Sequence, residues 1–212
     1  MTDLLDQAAP TAPEVVVLLA DDGAAIGTAA KSGVHHAATP LHLGFSCYLF
    51  DHDGDLLVTR RASDKATFPG VLTNSVCGHP APGESLADAV RRRAHRELGI
   101  AVDDVVDVRL VLADFAYRAQ MNDVVENELC PVLVARLREG ASVEPDAAEV
   151  GWHGRVDWVG FAADVIAGRV DVSPWCATQV AALHELGPVP SQWPDADPSD
   201  LPAAVVLGRA AV

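Results

Sequence analysis

The stretch TNSVCGHPAPGESLADAVRRRAHRELGI, residues 73–100, begins as loop and ends as helix, and its reading decides the fold. Gly78, Pro80, Pro82 and Gly83 exclude a regular element from its first third. Ser85 is placed to cap a helix, with Asp88 three residues on to complete a capping box. Leu86, Val90, Ala94 and Leu98 follow at four-residue steps and make one apolar stripe. Gly99 predicts the helix end. Arg93 and Glu97 are also four apart, so both point to one side. On an arbitrary helix that pair is a surface ion pair. What distinguishes this helix is the loop in front of it, which delivers Cys77 and His79 with Glu84 just behind.

Gly78, Glu84 after five residues, Arg92 after seven more, then Glu97, Gly99 and Ile100 together resemble the Nudix signature. Where that signature has further glutamates, this chain has Arg93 and Arg96. A guanidinium is always charged and only donates, so it cannot hold the cations that Nudix hydrolases bind through those carboxylates. The strings TNSVCGHP, GES and RRxxxELG resemble instead the type I isopentenyl-diphosphate isomerases, a Nudix-fold family that moves a double bond. The resemblance runs from about Lys31 to Gln179. It implies an α/β (α+β) fold with a mixed β-sheet sandwiched between α-helices.

Length and composition set outer bounds. A chain of 212 residues suits one domain or at most two small ones, and a 50% hydrophobic content is enough for a full core. A net charge of −15 argues against a nucleic-acid partner and requires any anion site to be a local basic pocket or a metal. Cys47, Cys77, Cys130 and Cys176 form no paired motif, as expected in a reducing cytoplasm. MTDLLDQAAP has no basic region of a signal peptide, and no apolar run approaches the roughly 20 residues of a membrane helix. The expected division is an N-terminal extension with a first strand over 1–30, a catalytic domain over 31–186, and a tail over 187–212. Pro188, Pro190, Pro194, Pro198 and Pro202 predict that this tail is disordered.

Valine-rich and alternating runs predict strands over 14–20, 41–50, 55–60, 107–119, 126–137 and 149–159, with a turn or loop over 21–28. The Asp51-His52-Asp53-Gly54 turn makes a hairpin of the second and third. Helices are expected over 161–168 and 175–186, the latter started by Pro174.

Three groups of residues carry candidate chemistry. His35, His36 and His42 precede a strand, where histidines are ordinarily loop residues. Arg60, Arg61 and Lys65 form a basic cluster in an acidic chain; arginine grips a diphosphate with paired hydrogen bonds and lysine acts as a point charge. Glu126 and Glu128 share one strand face, because strand side chains alternate. Two carboxylates entering the apolar run LCPVLVAR call for a cation between them.

The isomerase resemblance assigns roles to these positions. His35, His42, His79, Glu126 and Glu128 would hold a divalent transition metal, and this nitrogen-rich set suits Mn2+ or Zn2+ more than Mg2+. Glu97, with the backbone carbonyl of Cys77, would hold Mg2+ beside the diphosphate. Arg61, Lys65, Arg93 and Lys31 would bind that diphosphate. Cys77 and Glu128 would be the two proton-transfer groups, with Tyr117 relaying or orienting a proton and Trp175, in an SPW element, offering its face to a carbocation. Which of Cys77 and Glu128 is acid and which base stays open. The expected activity is conversion of isopentenyl to dimethylallyl diphosphate by a monomer or weak homodimer, with no nucleic-acid or membrane partner. The competing readings are a hydrolase of nucleoside diphosphate derivatives and a non-catalytic metal- or ligand-binding domain. Arg93 and Arg96 count against the first, and the joint presence of Cys77, Tyr117, Glu128 and Trp175 counts against the second.

Overall fold

The computed structural model describes residues 14–208. The extension expected over 1–13 lies outside the described residues. Val15–Leu19 (β1) turns back at Asp21-Asp22-Gly23 onto Ala25–Ala30 (β2). Half of the loop expected over 21–28 is therefore strand. β2 is an exposed edge strand made by backbone pairing to β1, with no apolar alternation to reveal it.

A short helix, Lys31–Val34 (α1), leads to His42–Leu43 (β3) and Phe45–Phe50 (β4). One strand was expected here; Gly44 divides it in two. The hairpin to Leu56–Arg61 (β5) forms as expected, with Phe50 opposite Leu56. Leu72–Thr73 (β6) and Val76–Gly78 (β7) precede helix Leu86–Leu98 (α2). The run over 107–119 also divides, into Val105–Leu112 (β8) and Ala116–Met121 (β9). The next run divides at Cys130-Pro131 into Val124–Leu129 (β10) and Val132–Leu137 (β11). Val150–Val156 (β12), Trp158–Ile166 (α3) and Pro174–His184 (α4) complete the main elements.

The three divisions have one meaning. At each, the chain passes from one sheet to another. The first sheet has the order β2-β1-β3-β10-β9, and the second β12-β5-β4-β11-β8 with β6 on β5 and β7 on β4. Both are mixed, because β10 runs parallel to β3 and β11 parallel to β4. Gly44 N donates to Leu129 O at 2.9 Å and Ser46 N to Pro131 O at 3.1 Å, so β3–β4 and β10–β11 stay paired through the seam.

The second sheet is covered on both faces. Phe45, Cys47 and Leu49 of β4 join a core with α2, whereas Tyr48 and Phe50 join a core with α3 and α4. Strand alternation sends neighbours to opposite faces, so this is the expected sheet between helices. On α2, Leu86, Val90, Ala94 and Leu98 are all fully buried. Ser85 Oγ accepts the Asp88 N–H, and Gly99 ends the helix at φ 64°. A side chain at Gly99 would strike the Glu144 carbonyl oxygen, so the position needs both a left-handed backbone and no Cβ.

The disordered tail expected over 187–212 is not what the described residues up to 208 form. Trp193 is 2% exposed and stacks edge-on against Trp158 with ring centroids 5.0 Å apart. Its Nε1 donates to Gly187 O at 2.9 Å, and Arg109 Nη1 donates to Trp193 O at 2.9 Å. Further on, Leu86 N donates to Val206 O at 2.7 Å, which satisfies one of the orphan amides at the α2 N-terminus. The prolines exclude long helices and strands, but they do not exclude burial. Trp193, Leu201, Val205 and Leu207 supply enough apolar surface to bind an irregular segment to the domain. No helix among the described residues is long and apolar enough to cross a membrane. Replacing Trp193 by Ala should cost about 3–5 kcal/mol, the scale for removing a buried aromatic, read as a lower denaturant midpoint. An unchanged midpoint would show that the segment adds nothing to the core.

Candidate active site and metal centre

A cleft of about 690 Å³ opens where the two sheets meet. Every candidate site residue lines it except His42, which is fully buried behind it. The sheet seam explains this convergence. Glu128 lies opposite His42 in the parallel β10–β3 pair and opposite Tyr117 in the antiparallel β10–β9 pair.

His35, His42, His79 and Glu128 each offer one ligand atom, and these atoms lie within 4.8 Å of one another. His79 Nε2 is 3.1 Å and His42 Nε2 3.6 Å from Glu128 Oε1. Glu126, two residues along the same strand face, stands outside that tightest group but reaches His35, Oε2 to Nε2 at 3.0 Å. His42 Nδ1 lies 2.9 Å from Pro40 O. A carbonyl only accepts, so Nδ1 carries the proton and Nε2 faces the cluster. The buried Nε2 atoms of His35 and His42 and the buried Nδ1 of His79 make no hydrogen bond. Buried polar atoms are rarely left so, and three imidazoles with two carboxylates fit a divalent cation. Burial pushes the Glu128 carboxyl up, but the His42 and His79 rings that face it outweigh burial and hold Glu128 below the usual carboxylate range. Burial lowers His79, and Glu128 only partly opposes it.

Gly44 is what lets Glu128 sit there. A Cβ at Gly44 would overlap the Glu128 carboxylate. Gly78 does the same for Arg93: a Cβ there would stand 2.9 Å from Arg93 Cγ. The loop between them and α2 is clamped by Glu84, which accepts from Arg92 Nε at 2.6 Å and Nη2 at 2.7 Å and from Ala81 N at 2.7 Å. Arg92 also donates to His79 O at 3.1 Å, so the Nudix-like Glu84–Arg92 pair holds the His79 turn in place.

At the cleft mouth the basic candidates alternate with carboxylates. Arg93, 4% exposed, pairs with Glu97, with Glu14 at 3.4 Å and with Glu149 at 3.7 Å. Lys31 pairs with Glu14 and Lys65 with Glu149, both at 2.6 Å. Burial raises Glu14, but Lys31, Arg93 and Arg96 outweigh it and bring it down to about 2. Burial raises Glu97 more than Arg93 lowers it. Sequence reasoning did not single out Glu14 or Glu149. Each read as the first residue of a strand, and nothing local marks a pairing across such distances in the chain. Arg61 does not join this ring. Its Nε and Nη2 donate to Thr67 O at 3.1 and 2.9 Å, and its guanidinium carbon stands 6.0 Å over the Trp175 ring. His36 Nδ1 accepts from Ala38 N in a local turn and takes no part in the cluster.

The inner wall is aromatic. Tyr117 packs on Trp175 with ring centroids 5.5 Å apart, and Phe68 meets Trp175 edge-on at 5.1 Å. Phe68 holds a positive φ of 46°, a costly conformation for a bulky residue. Burial raises the Tyr117 phenol well above its ordinary value, with Glu128 adding to the shift. Cys77 donates to Asn74 Oδ1 at 3.0 Å. Burial pushes its thiol up to about 11, against the pull of Ser46 and Asn74, so it is protonated at neutral pH.

The family profile described as NUDIX domain matches residues 40–172. The chain is 53% identical over 195 residues to an isopentenyl-diphosphate Delta-isomerase of Saccharopolyspora erythraea, covering 92% of this chain and 98% of that protein. It is 54% identical over 193 residues to one from Rhizobium rhizogenes, covering 91% and 90%. Among solved structures, a Deinococcus radiodurans protein superposes with a TM-score of 0.59 at 19% identity, over 80% of this chain and 98% of that one. A Nudix hydrolase from M. smegmatis gives 0.51 at 18%, over 73% and 88%. At those identities the superpositions speak for the fold alone.

The Gly44 contact makes a direct test of the metal centre. Gly44→Ala should displace the Glu128 carboxylate and weaken transition-metal retention about 10- to 100-fold, the usual cost of disturbing what orients a metal ligand. Metal content after dialysis against a graded chelator measures it, with circular dichroism confirming the fold. Retention equal to the parent protein would mean that Glu128 does not hold the ion.

Proposed function

The chain belongs to the Nudix domain family and, within it, to the isopentenyl-diphosphate Delta-isomerases, and from that membership we propose how its cleft converts isopentenyl to dimethylallyl diphosphate. The observation that carries the reading is the division of one cleft into three chemically distinct parts: an imidazole–carboxylate cluster, a cationic mouth and an aromatic wall.

The diphosphate occupies the mouth. Lys31, Lys65 and Arg93 already hold carboxylates there, and an incoming diphosphate takes the place of Glu14 and Glu149 on them. Arg61 completes the donor set from the Trp175 side. Glu97 and the Cys77 carbonyl would hold Mg2+ against the diphosphate oxygens. His35, His42, His79, Glu126 and Glu128 would hold Mn2+ or Zn2+, whose positive charge tunes the acidity of Glu128.

The hydrocarbon end lies against Tyr117 and Trp175. An unactivated alkene is a weak base, so the tertiary carbocation formed on its protonation must be shielded from water and stabilised. The indole face of Trp175, 4% exposed, offers cation–π stabilisation in a site with little competing water. Cys77 and Glu128 are the two proton-transfer groups. The high Cys77 and low Glu128 leave one proton on the pair before reaction. A 1,3-shift needs one donor and one acceptor, and after turnover the proton sits on the other member. The pair then recovers its starting state by exchange with water. Tyr117, a neutral phenol beside Glu128, orients the carboxyl group. Four free cysteines suit a reducing cytoplasm, and a small diphosphate is the partner of a monomer or weak homodimer.

Incubation with isopentenyl diphosphate in D2O should yield dimethylallyl diphosphate carrying deuterium in a methyl group. Release of phosphate or nucleotide from nucleoside diphosphate derivatives, without isomerisation, would favour hydrolysis. Cys77→Ser should keep fold and metal yet lose about a hundredfold or more in turnover, because a hydroxyl is far less acidic than a thiol. Glu128→Gln should lose at least as much, since it removes a proton group and a metal ligand together. A Cys77→Ser rate equal to the parent's would reduce Cys77 to a packing residue.

A further inference from the structure

Behind Cys77 lies a buried polar network that the reaction as described does not use. Ser46 on β4 is directly opposite Cys77 on β7, so their side chains share one sheet face. Ser46 Oγ lies 3.5 Å from Cys77 Sγ and also 3.5 Å from Cys130 Sγ. Gln179 Nε2, on α4, donates to Ser46 Oγ at 2.9 Å, and Tyr48 Oη donates to Gln179 Oε1 at 3.1 Å. On the other side of the sulfur is Asn74. Its Nδ2 donates to Cys47 O at 3.1 Å and Val76 O at 3.0 Å. Carbonyls only accept, so these two bonds fix which end of the amide is which, and Oδ1 must face Cys77. Ser46, Asn74 and Gln179 are at most marginally exposed, and Tyr48 is fully buried. A buried polar side chain costs stability unless it is satisfied, so four of them around one thiol ask for a reason.

We propose that Ser46 and Asn74 are positioning residues that hold the Cys77 sulfur in its reactive rotamer, one donating to it and the other accepting from it. The inference rests on the reading of Cys77 as a proton-transfer group. Asn74 Oδ1, an acceptor only, takes the S–H of the protonated form at 3.0 Å. Ser46 already accepts from Gln179, so its own O–H is free to donate to sulfur. Gln179 and Tyr48 thereby leave the serine proton to the two sulfurs that Ser46 reaches, Cys77 and Cys130. Sulfur hydrogen bonds are weak and long, and a thiol held by one of them alone is free to rotate about χ1. Two bonds of opposite sense, from a strand and from a loop fixed by backbone carbonyls, restrict the thiol to one orientation, and the serine bond remains on the sulfur after its proton has left.

The test separates aiming from packing. Ser46→Ala should lower kcat about tenfold, the scale of one lost hydrogen bond at the reacting group, with KM for isopentenyl diphosphate and metal content unchanged. That variant also strands the buried Gln179 Nε2 donor and so loses stability. Ser46→Ala combined with Gln179→Met removes both ends of that bond; it should recover part of the melting temperature, Tyr48 Oη keeping only Cys176 Sγ at 3.8 Å, while kcat stays low. In a Cys77→Ser background, Ser46→Ala should cause no additional loss, because there is no thiol left to aim. A parental kcat in Ser46→Ala, a kcat that returns with stability in the double variant, or a full further loss in the Cys77→Ser background each overturns the proposal. Cys77→Ser alone with an undiminished rate overturns the underlying reading of Cys77, a result distinguishable from failure of the aiming role.

Discussion

The structure is built around one buried carboxylate. Glu128 is 7% exposed and must have partners, since an uncompensated charge at that depth costs several kcal/mol. It has His42 across the β3 pair, His79 from the loop before α2, and a glycine at position 44 that gives it room. His42 and Gly44 come from one segment and His79 from another. The need to satisfy Glu128 thus ties the β3–β4 seam, the β7–α2 loop and the β10–β11 seam to one point. A cation held there would complete what the imidazoles begin, and the ring nitrogens of His35 and His42 that make no hydrogen bond mark where its charge would be used.

The second constraint is Arg93. Its guanidinium is buried on the face of α2, and a permanent charge there must be neutralised. Glu97 one helical turn on, Glu149 and Glu14 meet it. Burial lowers the Arg93 pKa less than these three carboxylates raise it. A chain that is strongly acidic overall therefore keeps its cations at one cleft mouth, each already paired. In the proposed binding mode a diphosphate would exchange with two of these carboxylates, and it carries enough charge to compete with them. The same substitution of arginine for glutamate that separates this chain from the cation-rich hydrolase pattern creates that mouth.

The C-terminal segment shows how an irregular stretch can still be structural. Between Pro188 and Pro202 no long helix or strand forms, yet Trp193 fills a gap between Phe50 and Trp158 and its backbone is held by Arg109. The segment then returns to the α2 N-terminus, where its carbonyls take amide protons that a helix start leaves unpaired. The helix that presents Arg93 and Glu97 is thus held at its start by the chain's last described residues.

Much of this protein was legible in its sequence, because much of it is local. Ser85, Gly99 and the four-residue apolar stripe defined α2 without any distant contact. The Cys77-Gly78-His79 loop, the Glu126-Asn127-Glu128 strand and the His35–His42 spacing carried a family resemblance, which implied the chemistry, and the structure brings His35, His42, His79 and Glu128 within ligand distance. What only the tertiary structure decided is non-local. Three apolar runs that read as single strands divide between two sheets, at Gly44, at Ala113-Asp114-Phe115 and at Cys130-Pro131, and only the neighbouring strands decide that the chain turns there. Glu14 and Glu149 enter the cleft through partners far along the chain, and a carboxylate at a strand start carries no local sign of that. Ser46, Asn74 and Gln179 read as ordinary polar residues of a strand, a loop and a helix. Their burial around Cys77 follows from sheet register and helix packing, which a linear pattern does not encode.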